Sequence, residues 1–367
     1  DVAYTLGISH PAGSPAYSTI SRFFTFLPFS SISFKINLVS LFFALLTVVF
    51  TCKVVQVLLS LYYPAIKKAE TNLTIFLCSL ILTIMPSFWL KAIIAEVYTM
   101  NTFFLVLILF LLFNWSIKDD IRYALLAAFF YGLSSGVHAG AVLFLPGFLL
   151  FFYFNLSKNT SAQKQCGTSL FKSYALVSLF FLIGFSAYLY LPVRSIANPE
   201  FDWGNPETFK NFFIHISNRK DSLSYFQNIT SISSLLRDSL TFIKITLDEI
   251  TLVGMLLLII GMAAHAKKDW RGFLLLFLIA FVNTLFYLTT TFTDYDSKSG
   301  TLFIPSFTIF IIWIGLGIYL LSDVHLKYLP KINIRRLAVT ALFIFVIFNI
   351  LTNYRSIEKS NYYLAEN

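Results

Sequence analysis

Charged residues are scarce in this chain. Only 12% of its 367 residues are Asp, Glu, Lys or Arg, whereas 57% are hydrophobic and 42 are Phe. That balance cannot be folded into one soluble core without leaving large apolar patches in water, so lipid is the natural solvent for the surplus. Cysteine is also rare: Cys52, Cys78 and Cys166 fall in or beside apolar segments with no CxxC spacing, which argues against both a zinc site and a disulfide framework. No Walker loop, nucleotide fingerprint or metalloprotease motif is present. Nor is there an inverted repeat of broken helices, or an ionisable residue clearly at mid-membrane, as an ion-coupled transporter would normally show. The net charge is +9, yet much of the Lys and Arg lies between apolar segments and not in an aromatic-interleaved patch, so nucleic acid is not an expected partner.

What is there is a series of about ten apolar segments, each close to the roughly 20 residues needed to cross about 30 Å of hydrocarbon. They run 36–55, 72–89, 98–116, 122–137, 139–156, 171–192, 247–265, 271–290, 301–321 and 335–353. Gly136, Val137 and His138 alone separate the fourth from the fifth, which reads as a tight hairpin. Only helices satisfy their own backbone in a bilayer, so the expected fold is an all-α polytopic transmembrane bundle. Lys67 and Lys68; Lys118 and Arg122; Lys158, Lys164 and Lys172; Lys267, Lys268 and Arg271; and Lys327, Lys331, Arg335 and Arg336 then share one side, the cytoplasmic one. Lys53 can snorkel to the same interface. The opposite face receives an expected outer loop at 1–33, the segment 87–100, the turn at His138, an outer loop at 193–246, the segment 291–300 and a tail at 354–367, around a membrane domain at 34–353. Asp1 opens the chain without a Met or a charged leader, and a helix upstream of it is expected.

The outer segments carry the mixture of acids, bases and aromatics that a binding site needs. Around His10, two prolines and two glycines within a dozen residues indicate a shaped loop, and Pro11 holds His10 extended. Glu96 sits between two spans beside Phe88, Trp89 and Tyr98. It must meet water, a cation or a partner, because a carboxylate at a helix centre costs roughly 2.5 to 3.5 kcal/mol; simple stabilisation by a helix N-terminus is the competing reading. Arg194 closes Tyr190-Leu-Pro-Val-Arg194 as an interfacial cation suited to forked hydrogen bonds with a phosphate, although an ordinary snorkelling Arg would look the same. Asp202-Trp203-Gly204 is a compact polar and aromatic turn of the kind that packs on a sugar face. His138 is expected at the outer membrane surface near Arg194. His215, Arg219, Lys220 and Asp221 read as solvated surface, and His265 and His325 as decoration of the cytoplasmic interface. Asp294, Asp296 and Lys298 precede a helix entry, as a cap or a solvated loop.

Tyr4-Thr-Leu-Gly-Ile-Ser-His-Pro-Ala-Gly, Ala95-Glu96-Val-Tyr-Thr-Met-Asn, Gly132-Leu-Ser-Ser-Gly-Val-His138, Tyr190-Leu-Pro-Val-Arg194 with Asp202-Trp-Gly-Asn-Pro, and Ile304-Pro-Ser-Phe occur in this order. Together they resemble the protein O-mannosyltransferase-like membrane family of the GT-C glycosyltransferase class, over almost the whole chain. The resemblance implies an inverting enzyme that passes a sugar, expected to be mannose, from a polyprenyl-phosphate donor to an acceptor hydroxyl, with protein Ser or Thr or a lipid or glycan as acceptor. It implies donor-phosphate contacts from Arg194 and His138, substrate contacts from His10, Tyr4, Tyr98, Asp202 and Trp203, and a catalytic role for Glu96. The family's acidic pair falls upstream of Asp1, which leaves Asp1 a weak stand-in. Lys91 stands where a Gln is expected, and the spacing from Asp296 to Pro305 is long. Neither a cofactor nor a metal is implied. A bacterial inner membrane is the expected location and an endoplasmic reticulum the alternative. The rival function is a lipid-linked-sugar flippase, which would also recognise a phosphate but would need no base; a noncatalytic scaffold is a third possibility.

Overall fold

The structure is a computed structural model that describes residues 2–156, 170–217, 232–290 and 300–328, together with positions 347 and 351. Among the described residues it is all-α apart from one isolated bridge between extended segments. The first half comprises α1 (Val2–Thr5), α2 (Pro15–Thr25), α3 (Ile32–Tyr62), α4 (Lys68–Ile84), α5 (Pro86–Ala92), α6 (Tyr98–Lys118), α7 (Ile121–Ser135), a 3-10 turn at Ala139–Phe144 and α8 (Leu145–Leu156). The second comprises α9 (Leu170–Phe185), a 3-10 turn at Ser186–Leu189, α10 (Tyr190–Ile196), α11 (Phe209–Ser217), α12 (Ile232–Lys268), α13 (Trp270–Thr290), a 3-10 turn at Thr301–Phe303 and α14 (Ile304–Tyr328).

The described residues form a polytopic bundle: 7 helical segments are long and apolar enough to cross a membrane, or 8 if α4 and α5 count as one bent span. The departures from about ten expected spans have local causes. Segment 72–89 is broken, because Pro86 has no N–H to extend a helix and its ring disfavours a helical preceding residue; the chain bends by 72° there. Segment 122–137 is helical, but α7 has only 15 residues. Segment 247–265 begins much earlier, at Ile232, and kinks at Thr251, where φ is 59°. Residues 193–246 are therefore not a single loop, since they contain α10, α11 and the start of α12. The expected loop at 1–33 likewise holds α1 and α2, with Pro15 preset for the first position of α2. The tenth segment apart from positions 347 and 351, the tail at 354–367, Asp1, Cys166, Arg219, Lys220, Asp221, Asp294, Asp296, Lys298 and the basic residues Lys158, Lys164, Lys331, Arg335 and Arg336 lie outside the described residues.

The alternation of ends survives these changes. At one end Lys118 Nζ bonds Tyr123 Oη at 2.7 Å, Lys268 Nζ lies 5.1 Å from the Tyr63 ring centroid, and the Arg271 guanidinium lies 5.7 Å from that of Phe154. Glu96, His138 and the N-terminal segment gather at the other. His265, expected as interfacial decoration, belongs to the first end but is fully buried. Trp313 Nε1 donates to its Nδ1 at 3.0 Å, and its Nε2 lies 2.9 Å from the Tyr62 hydroxyl, which donates to Asp269 Oδ2 at 3.1 Å. A buried indole N–H needs an acceptor, and His265 supplies it.

Position in the bundle follows burial. The apolar window of Thr301–Leu321 is 83% buried, so α14 is the central post, whereas that of Phe171–Ile196 is only 17% buried and presents its side chains outward. Small residues set the closest crossings, as expected where lipid gives helices no hydrophobic reason to associate. Gly132 and Gly184 bring α7 and α9 backbone to backbone, and Gly261 and Gly317 do the same for α12 and α14. A Cβ at Gly261 would overlap the Trp313 carbonyl. Gly261→Leu should therefore destabilise the bundle by about 2 kcal/mol or more, read as a lower melting temperature in detergent; an unchanged melting temperature would mean that the crossing is not tight.

Candidate functional site

The link from α5 to α6 is irregular backbone, and α3 satisfies it. Asn37 Oδ1 accepts from the Ala95 amide at 2.9 Å, while Ser40 Oγ accepts from the Glu96 amide at 3.1 Å and donates to its carbonyl at 3.2 Å. Glu96 is thereby held with its Oε1 3.3 Å from Lys91 Nζ. Lys91 is only 6% exposed, and its ammonium lies 5.1 Å from the Tyr98 ring centroid. A cation so buried needs a carboxylate and gains from an aromatic face, and this site supplies both. Tyr17 of α2 completes the near side: burial above all, with the Glu96 charge adding to it, pushes its phenol up to about 12, against the opposing effect of the hydroxyls of Ser21 and Ser40.

Tyr98 links this group to His138, with ring centroids 5.5 Å apart. His138 Nδ1 accepts from the Gly140 amide at 3.1 Å, so in the neutral ring the proton sits on Nε2. A Cβ at Gly140 would lie 2.7 Å from both His138 Nδ1 and Tyr287 Oη, which brings Tyr287 into the same cluster. Burial first, and then the neighbouring His10, lower the His138 imidazole from its ordinary 6.5 to about 4. Near neutral pH it is a hydrogen-bonding group and not a cation.

His10 and the 201–205 turn form a second group. Ile8 pairs in parallel with Asp202: its amide donates to the Phe201 carbonyl at 2.6 Å, and its carbonyl accepts from Trp203 at 3.4 Å. Ser195 Oγ lies 2.8 Å from Asp202 Oδ2 and 2.9 Å from Asn205 Oδ1, which ties the turn to α10. Val2, Ile8, Ser9, His10, Glu200, Phe201, Asp202, Trp203 and Gly204 line an open pocket of about 510 Å³. Trp203 is exposed, as a ring offered to a ligand would be. Tyr4 lies at the outer edge, stacked under the Arg22 guanidinium, which also donates to its carbonyl.

The structure thus brings together Glu96, Tyr98 and His138 in one group, and His10, Asp202 and Trp203 in the other. The two meet electrostatically at His10, which acts on both His138 and His215. Arg194 stands behind the second group. Its Nε donates to the Leu6 carbonyl at 2.6 Å and its Nη2 to that of Thr5 at 3.1 Å, so at least part of its fork fastens the N-terminal loop. His215, expected on a solvated surface, is instead 2% exposed. Its ring is wedged between Gly13 and Gly204, where a Cβ would come within 2.9 Å of Nε2 and 2.8 Å of Nδ1 respectively. Both glycines have positive φ, 87° and 78°, so the wedge needs Gly for shape and for backbone alike. Burial lowers the His215 pKa, His10 adds to the effect and Asp202 opposes it. Tyr17, Ser40, Ser195 and Tyr287 gave no signal in the sequence, being common residues with no motif around them.

Residues 1–161 match a family model described as the N-terminal domain of protein O-mannosyl-transferase TMEM260. This stretch contains Glu96, Lys91, Tyr98, His138 and His10. The family resemblance read from the sequence is borne out. The chain is 23% identical to mouse protein O-mannosyl-transferase TMEM260 over 369 residues, 96% of this chain and 50% of that protein. It is 24% identical to the Dictyostelium discoideum protein O-mannosyl-transferase tmem260 over 320 residues, 79% of this chain and 36% of that protein. The chain thus spans about half or less of the length of these relatives. Both are eukaryotic, so they lend the expected bacterial inner membrane no support.

The depressed His138 pKa has a thermodynamic consequence. Its folded value of about 4 lies below the ordinary 6.5, so as pH falls through that window the unfolded chain takes up a proton that the folded chain refuses, and stability is lost. His138→Gln should therefore flatten the fall in melting temperature between pH 6.5 and 4 relative to the parent, with the two curves parallel above pH 7. Parallel curves throughout would show that His138 is ordinary in its titration.

Proposed function

We propose that the protein is a membrane glycosyltransferase that passes mannose from a polyprenyl-phosphate donor to an acceptor hydroxyl, with protein Ser or Thr as the favoured acceptor, on the luminal or periplasmic face. The observation that carries this reading is the pairing of the buried Lys91 with the half-buried Glu96, set beside Tyr98 and His138 within the stretch that matches the O-mannosyl-transferase model. Transfer needs a group to receive the acceptor's proton and positive charge for the departing phosphate, and this cluster supplies both kinds of group at one end of the bundle.

In this reading the acceptor oxygen bonds the anomeric carbon on the face opposite the phosphate. The bond from that carbon to the phosphate oxygen breaks with its electron pair, and the acceptor's proton passes to a carboxylate, for which Glu96 is the candidate. Lys91 faces the growing charge on the phosphate, and the neutral His138 contributes Nε2–H as a hydrogen-bond donor. His10, Asp202 and Trp203 line the pocket in which acceptor or sugar is oriented, and Arg194 keeps the His10 loop in place. The polyprenyl chain lies in lipid against the outward-facing helices, which leaves the headgroup little freedom to lose on reaching the site.

Membranes carrying the full chain should transfer labelled mannose from polyprenyl-phosphate mannose to protein acceptors above a matched control. Glu96→Gln should reduce the rate per folded molecule about 100-fold, the scale of a lost acid-base group, with a lower melting temperature because the buried Lys91 loses its carboxylate. Transfer by the variant at the parental rate would remove Glu96 from the reaction, and silence of the parent across a panel of donor sugars would favour the flippase.

A further inference from the structure

The bend between α4 and α5 leaves a problem that local sequence does not solve. Met85 occupies the N-cap of α5 and makes no side-chain cap, and Pro86 follows it with no N–H to offer. The first amide of α5 that needs an acceptor is therefore that of Ser87. It finds one far away in sequence: the Glu249 carboxylate of α12, with Oε1 at 3.0 Å and Oε2 at 3.4 Å. Glu249 is 3% exposed. A carboxylate this deep is retained only at a cost in solvation, and a hydrophobic residue would fill the same space more cheaply, so its presence asks for a reason.

The position of α5 supplies that reason. Five residues after Pro86 the same helix carries Lys91, whose ammonium meets Glu96 at 3.3 Å and the Tyr98 ring at 5.1 Å. With only 7 residues, α5 has little stability of its own and takes its direction from what holds its ends. Gly300, which opens the 3-10 turn before α14, leaves room beside the same carboxylate: a Cβ there would lie 3.1 Å from Glu249 Oε1. One side chain thus bonds the start of α5 and lies close to the entry to the central helix α14, just before α12 kinks at Thr251.

We propose that Glu249 is a positioning residue for the transfer site: it caps α5 from α12 and so sets Lys91 against Glu96. Its action on transfer rests on the glycosyltransferase reading, whereas its action on α5 does not. Two measurements on the full chain separate these claims. The first is amide hydrogen exchange of the purified protein in lipid nanodiscs. Glu249→Gln should speed exchange within 87–92 by about tenfold or more while leaving α6 unchanged, and Glu249→Asp should restore part of the protection. Unchanged exchange in 87–92, or a general rise across the bundle, would overturn the capping role even if transfer activity is never found.

The second is a double-mutant cycle on transfer. If Glu249 acts through Lys91, Glu249→Gln should slow transfer about tenfold in the parent but less than about twofold in a Lys91→Met background, where nothing remains to be positioned. The loss should fall on kcat more than on KM for the donor. Equal losses in both backgrounds would show that Glu249 serves the fold generally and would overturn the positioning role. A parent chain inactive with every donor sugar would defeat the glycosyltransferase reading and the transfer half of the proposal, and the exchange result would still decide the capping half.

Discussion

Backbone amides inside hydrocarbon have no water to fall back on, so every interruption of a helix must be answered by another part of the protein. The end of this bundle that carries the candidate site is made of such interruptions. The Pro86 break is answered by Glu249, the turn at Ala95 and Glu96 by Asn37 and Ser40, and the carbonyls that end α1 by Arg194. In each case the side chain that repairs the backbone comes from a helix distant in sequence. The repair also fixes a candidate site residue, because Lys91, Glu96 and His10 lie on or beside the repaired segments. Irregular backbone and polar chemistry occur together here because the first creates the demand for the second.

The close glycine crossings make that arrangement possible. With α7 against α9 and α12 against α14 at backbone contact, the bundle has rigid pairs on which short elements can hang. The segment from Val2 to Ser14 has little structure of its own, but Tyr190 Oη donates to the Gly7 carbonyl at 3.1 Å, Arg194 holds the two carbonyls before it, and the His215 ring is clamped between Gly13 and Gly204. The loop is ordered by what surrounds it and not by its own propensities.

Much of this was legible in the sequence, for identifiable reasons. Runs of twenty apolar residues announce helices in lipid whatever their neighbours, which is why α6, α13 and α14 fall close to the expected bounds. Pro86 announced a break only in retrospect, since the apolar run continues through it, and the early start of α12 was hidden because Arg237, Asp238 and Lys244 look like loop residues while serving as one end of a long helix. Glu96, Tyr98 and His138 were found because each interrupts apolar sequence near a span end. His215 was misread because it was grouped with the polar run that starts at Ser217, although Ile214 and Ile216 flank it, and the positive-φ glycines on either side of its ring explain its burial. Glu249 gave no signal, being one acid in a run that contains Asp248 as well, and its partner lies 162 positions away.

On the proposed reading, the balance of charge at this end carries the chemistry. A departing phosphate needs positive charge at the moment it forms and not before, since a permanent excess would bind donor and product alike. The described cations are held in check: Arg194 donates to carbonyls, His138 is neutral near pH 7, and Lys91 is matched by Glu96. A proton arriving on Glu96 cancels its charge and shifts the balance around Lys91 toward positive, in a partly buried setting where one charge is felt more strongly than in water. Taking the acceptor's proton and strengthening the grip on the phosphate are then one event. This requires that Lys91 be held against Glu96 before the donor arrives, and the Lys91-bearing helix is the one whose first free amide is fastened to Glu249. A Gln at 91 would keep a hydrogen bond to Glu96 but could not release a charge, so the amine in this chain makes the coupling of base and phosphate a property of the Lys91–Glu96 pair itself.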